Sequence, residues 1–183
     1  MKTHFVEELN LAQVERGGAD AASQFLLQEF RRNQGYLLNS RELNVLSPNF
    51  IAFQDFGTAD DSPEILFWGN QTLFARYFAS SQQDHQNAKY ALAREYRQAV
   101  IKGYRAASEG SPYFDIIGTG TLLGKGHPEL IYERLLIPFK NRMGIPYLIC
   151  YTIERRVTWP CRPSSPTFHD TNSAQLTDRR LSS

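Results

Sequence analysis

The sequence predicts an α+β domain: a five-stranded antiparallel sheet with helices over one face, preceded by N-terminal helices. Three observations carry this expectation. Apolar residues recur at helical spacing near the N-terminus, and again over the longest periodic stretch, from about Gln83 to Ala107. Two strand-like segments separated by a turn precede that stretch, and three more follow it. Strands and helices grouped in this way, rather than alternating singly, describe an α+β arrangement in which the helices cover the sheet.

Taken in order, FVEELNLAQVE and AASQFLLQEFRRN place apolar side chains three or four apart, and both read as helix. Gly17 and Gly18 separate them, and Asp20 is positioned to cap the second. Asn39, Ser40 and Pro48 mark a change of regime. NFIAFQDFG and PEILFWGN then read as two strands joined by the turn-like GTADDSP, and QTLFARYF as a short helix presenting Leu73, Phe74, Tyr77 and Phe78. In the long periodic segment Tyr90, Leu92, Tyr96, Val100, Ile101 and Tyr104 form an apolar stripe opposite Lys89, Arg94, Glu95, Arg97 and Lys102. Such a helix lies on the surface with its stripe over a sheet, and Gly110, Ser111 and Pro112 stop it.

Beyond the helix, YFDIIGTGTLLG and IPYLICYTI read as strands. ELIYERLLIPF, residues 129–139, is less obvious, because Glu133 and Arg134 interrupt an apolar run. The NRMG turn and the strand that follow favour an antiparallel hairpin over a helix. In that reading Ile131, Glu133, Leu135, Ile137 and Phe139 share one face, and Leu130, Tyr132, Arg134, Leu136 and Pro138 the other. The chain divides into a helical extension (1–43), a core domain (44–156) and a tail (157–183) whose Pro, Ser and Thr content predicts disorder.

Composition excludes several function classes. A chain of 183 residues that is 42% apolar builds one substantial core. A net charge of +1 gives no bulk attraction to nucleic acid or anionic membranes. Cys150 and Cys161 form neither a disulfide scaffold nor a metal knuckle. The N-terminus MKTHFVEELNL does not read as a signal peptide, and no segment approaches the roughly 18 apolar residues of a membrane span. The expected location is the cytoplasm.

Particular residues resemble the PAS fold of sensory proteins. EILFWGNQTLFARYF looks like that family's second strand and the helix after it, with Asn70 at the strand end and Leu73 and Phe74 as inward residues. YFDIIGTG and ELIYERLLIPFKNRMGIPYLICYTIERR resemble its last three strands, with a tight turn at Gly144. The likeness is strongest to divergent, stand-alone proteobacterial PAS-like domains and covers about residues 44–156. Departures are the compressed ASSQQD segment and the unusual length of the helix after it.

No residue pattern supports catalysis. His4, His85, His127 and His169 fall at no ligand-like spacing, so no metal site is expected. GTGTLLGKG lacks the Ser/Thr and the strand–loop–helix setting of a phosphate loop. Asp115 and Glu133 read as surface charges rather than paired carboxylates, and Cys150 as a small buried hydrophobe. A haem reading has only His85 or His127 to offer as a ligand, and the flavin motif Asn-Cys-Arg-Phe is missing.

The expectation is therefore a non-catalytic sensory domain with a pocket between the long helix and the sheet. Its candidate lining is Phe53, Phe67, Phe74, Tyr96, Val100, Tyr104, Ile117, Arg134, Leu136 and Tyr151, suited to a small, largely apolar ligand or to a carboxylate. Arg134 is the informative member, because it either snorkels outward or faces a carboxylate inside. A homodimer through the N-terminal helices and a separate signalling protein are the expected partners. The alternatives are a ligand-free protein–protein interaction module and a haem sensor.

Overall fold

The computed structural model describes residues 4–38, 41–54, 63–77, 94–123 and 127–159. The elements run β1 (Phe5–Glu8), α1 (Leu11–Glu15), α2 (Ala21–Arg32), α3 (Arg41–Leu46), a 3-10 turn (Ser47–Asn49), β2 (Phe50–Gln54), β3 (Glu64–Trp68), α4 (Leu73–Tyr77), α5 (Arg94–Ser108), β4 (Tyr113–Gly118), β5 (Glu129–Lys140) and β6 (Pro146–Thr158). They form an α+β structure around one antiparallel sheet of order β1-β4-β5-β6-β2-β3.

The sheet has six strands where five were expected. FVEELNLAQVE is not one helix: Asn10 caps a short α1 with its side chain, accepting from Ala12 N at 2.9 Å, and the residues before it pair with β4. Phe5 lies opposite Gly118, and any Cβ at Gly118 would collide with the Phe5 ring. A glycine on β4 thus opens the seat that an aromatic on the edge strand occupies. Val6, its neighbour, packs against the apolar cluster of Leu73, Val100 and Ile117.

Helices cover both faces of the sheet rather than one. Phe114, Leu135, Ile137, Phe139 and Ile149 point to the side where Val14, Leu26 and Leu27 of α1 and α2 and Leu43 of α3 pack. Tyr113, Leu136, Leu148 and Cys150 point to the opposite side, under α4 and α5. The alternation of β5 therefore feeds two cores. Neither of its faces is solvated, which is why the segment reads as nearly continuous apolar sequence.

The predicted hairpin signals hold. β2 and β3 pair directly, and Asn141 Oδ1 closes the β5–β6 turn by accepting from Met143 N at 2.9 Å and Ile145 N at 3.0 Å, with Gly144 at φ +79°. Asp20 caps α2 as its sequence position predicts, accepting from Ser23 N at 2.7 Å. β6 extends two residues past the expected domain end, with Val157 and Thr158 opposite Leu130 and Glu129, and Trp159 packs edge-on to Tyr77. Phe78, the ASSQQD segment, residues 83–93 expected to begin the long helix (with Tyr90 and Leu92), and the tail from 160 onward lie outside the described residues, as do His85, His169 and Cys161.

A buried Arg–Asp pair beside a cavity

Antiparallel pairing sets Arg134 of β5 opposite Asp115 of β4, both on the face under α5. Arg134 is 1% exposed and Asp115 is fully buried. Arg134 donates from Nε to Asp115 Oδ1 at 3.0 Å and from Nη2 to Asp115 Oδ2 at 2.6 Å. Nη2 also donates to the Val100 carbonyl of α5 at 3.2 Å. The Tyr104 ring covers the guanidinium, with Cζ 4.7 Å from the ring centroid. This resolves the alternative posed by the sequence: the arginine turns inward, and its carboxylate partner belongs to the chain.

Asp115 is thus not a surface charge, and Glu133 is not its neighbour on that face. Glu133 points to the other side of β5 and takes Arg155 at 2.7 Å. The pair needs room beneath the helix, and Gly103 supplies it. A Cβ there would stand 2.8 Å from Tyr113 Cε1 and closer still to Arg134 Nη2. Gly103 was not singled out from the sequence, where it reads only as a weak point in a helix.

Beside the pair is a cavity of about 70 Å³ between α5, α4 and the sheet. Of the candidate residues, Phe53, Phe74, Tyr96, Val100, Tyr104 and Arg134 line it. Ile117 and Leu136 share that sheet face but fill the core alongside the cavity without lining it. Tyr151 faces the other core, where its hydroxyl donates to Asp20 Oδ2 at 3.1 Å and its ring packs on Phe50. Strand alternation gives the cavity Cys150 and Thr152 in its place.

Phe67 is 44% exposed. The register of β2 against β3 shifts between Ala52 and Phe53, leaving Leu66 as an extra residue. That bulge turns Ile65 and Trp68 inward and Phe67 outward. Strict alternation cannot foresee it. Tyr132 and Leu130, two and four residues before Arg134, complete the wall and were legible as its same-face neighbours.

The polar groups of the wall are neutral apart from the arginines. Tyr96 and Tyr132 share a short hydroxyl–hydroxyl hydrogen bond, and burial raises the pKa of both. Burial likewise raises Tyr104 and pushes the Cys150 thiol up to about 12. Desolvation alone would lower the Arg134 pKa, but the Asp115 carboxylate opposes it and holds the guanidinium charged. Thr72 caps α4, its Oγ1 accepting from Ala75 N at 3.1 Å and donating to Gly69 O at 2.9 Å. Gly69 must be glycine, because a Cβ there would overlap the Pro48 carbonyl.

Among the described residues no group of three or more His, Cys, Asp or Glu side chains is placed to hold a metal ion, and no helix is long and apolar enough to cross a membrane. Comparison with known proteins finds no matching family model, no matching curated protein and no matching solved structure.

Proposed function

We propose that this chain is a non-catalytic, PAS-like sensory or regulatory domain that takes a small, largely apolar ligand under α5 and reports it by repositioning that helix. The carrying observation is the cavity of about 70 Å³, walled by α5 on one side and by β2, β5 and β6 on the other. Arg134 joins the two walls, because one guanidinium holds both a sheet carboxylate and the Val100 carbonyl of the helix. A ligand that binds better at one helix position than another shifts the balance between them.

The topology supports the PAS-like reading. With β1 set aside, five antiparallel strands remain, with α4 and α5 inserted between the second and third, and a long final hairpin turns at Gly144. A homodimer and a separate signalling protein stay part of the proposal. The apolar side of α2 is occupied by the sheet, so a second copy would meet its outer face, which carries Gln28, Arg31 and Arg32. A haem macrocycle is poorly accommodated in so small a space, and neither His4 nor His127 lines it.

Native mass spectrometry of the purified chain, before and after denaturation, tests the reading. A retained small molecule, together with slower amide exchange in α5 than in the stripped protein, is the expected result. A bare mass, and no added compound that alters exchange in α5, would sink it. That second outcome favours the interaction module, whose best surface is edge strand β3 with Leu66 49% and Phe67 44% exposed.

A further inference from the structure

Resting on that reading of the cavity, we propose that it selects a neutral molecule of a few heavy atoms with one acceptor oxygen, a ketone or aldehyde carbonyl in class, seated on Nη1 of Arg134.

The guanidinium is planar, and its Nε–Nη2 edge is engaged by Asp115 on β4. Nη1 is outside that edge, and Arg134 lines the cavity together with Cys150 of β6 and Ile51 of β2. Nη1 is buried and has no hydrogen-bond partner among the described residues. A buried charged donor without an acceptor is costly, so an oxygen delivered there is strongly favoured. The Tyr96–Tyr132 hydroxyl pair, also in the wall, leaves one further hydroxyl hydrogen, because only one of the two protons is used between them.

Charge and volume restrict the class. Asp115 already balances Arg134, so an added carboxylate would leave water to meet a charge that is already paired. Tyr96, Tyr104, Tyr132 and Cys150 are all held protonated and offer no cation. Arg97, the other charged residue of the wall, is only half-buried and is not without a partner of its own. A cavity of about 70 Å³ is roughly half the 150 Å³ or so that admits benzene, which suits about four heavy atoms. The rest of the wall, including Phe53, Phe74 and Leu123, meets the carbon end.

Acetone, isobutene and acetate are near-isosteres that separate the terms. Each is titrated into the full chain and followed by the methyl resonances of Val100 and Leu123 and the side-chain resonances of Arg134. Acetone is expected to bind at least tenfold more tightly than isobutene, with acetate shifting none of these signals. Isobutene binding as well as acetone would overturn the carbonyl assignment while leaving a ligand cavity standing. Acetate binding most tightly would overturn the neutrality argument. No cavity shifts with any of the three would overturn both this inference and the ligand reading beneath it. Arg134→Met combined with Asp115→Leu removes the donor without orphaning a charge. It is expected to bind acetone and isobutene alike, and an acetone preference that survives the change would assign the selectivity to another group.

Discussion

Arg134 and Asp115 stand directly opposite each other on β5 and β4, and one guanidinium edge binds both carboxylate oxygens in full burial. The arrangement ties three elements together, since the same Nη2 also reaches the Val100 carbonyl of α5. A pair of this kind is weak evidence for stability, because desolvation offsets most of the attraction. Its two members are nevertheless unable to exist alone.

Removing one partner is therefore expected to be severe, and removing both mild. Arg134→Met leaves Asp115 as an isolated buried carboxylate and should cost about 3–5 kcal/mol, as should Asp115→Leu. The double substitution should be near neutral or more stable, so that the two changes are strongly non-additive. Urea unfolding of the four proteins measures the cycle. Additive losses would show that the pair contributes nothing as a unit.

A second coupled pair sits on the other face. Asp20 accepts from Ser23 N at the start of α2 and from the Tyr151 hydroxyl on β6, and so pins the helix to the sheet. Asp20→Ala should cost about 1–2 kcal/mol, at the upper end for a helix cap. Tyr151→Phe should cost about 0.5–1.5 kcal/mol. After Asp20→Ala, the tyrosine change should cost less than it does in the native background, again by urea midpoint.

The two faces differ in how much of them the sequence disclosed. Asp20, the Gly144 turn, the β5–β6 hairpin and the stripe of Tyr96, Val100 and Tyr104 were legible because each is a local pattern of spacing or turn chemistry. The alternation of β5 also assigned Arg134 its neighbours correctly. What was not legible depends on distant partners. Phe5–Glu8 becomes a strand only because Gly118 leaves space for the Phe5 ring, and a four-residue edge has no period of its own. Phe67 leaves the cavity because of a bulge whose cause lies in pairing with β2. Tyr151 missed it by one position, since an apolar strand buried on both faces gives no sign of which side is which. Asp115 and Gly103 acquire meaning only once Arg134 is seen between them.

Alkaline pH should loosen the fold through Cys150. Burial lifts the thiol from 9.0 to about 12, so the folded chain keeps a proton that the unfolded chain releases. Below about pH 9 both states hold it and stability does not depend on this group. As pH rises past that value the advantage is lost by about 1.4 kcal/mol per unit, until the folded thiol itself ionises. Buried tyrosines add losses in the same direction from about pH 10 upward. Urea midpoints between pH 8 and 10 should fall for the native chain and fall less for Cys150→Ala. Equal slopes would mean that the thiol is not shielded from solvent.

Gly103→Ala reverses an ordinary expectation. In the interior of an exposed helix, replacing glycine with alanine gains about 1 kcal/mol in backbone terms. Here the new methyl would enter the space held by the Tyr113 ring and by Arg134 Nη2, which Asp115 fixes in place. Overpacking of this kind costs about 1–3 kcal/mol, so the net effect should be destabilising. Because the clash pushes α5 away from the sheet, the Arg134–Val100 hydrogen bond should lengthen, and amide exchange within α5 should quicken more than in α2. A stabilised Gly103→Ala protein with unchanged exchange in α5 would show that the helix moves freely over the guanidinium. The coupling between cavity and helix on which the proposed signalling depends would then have no physical basis.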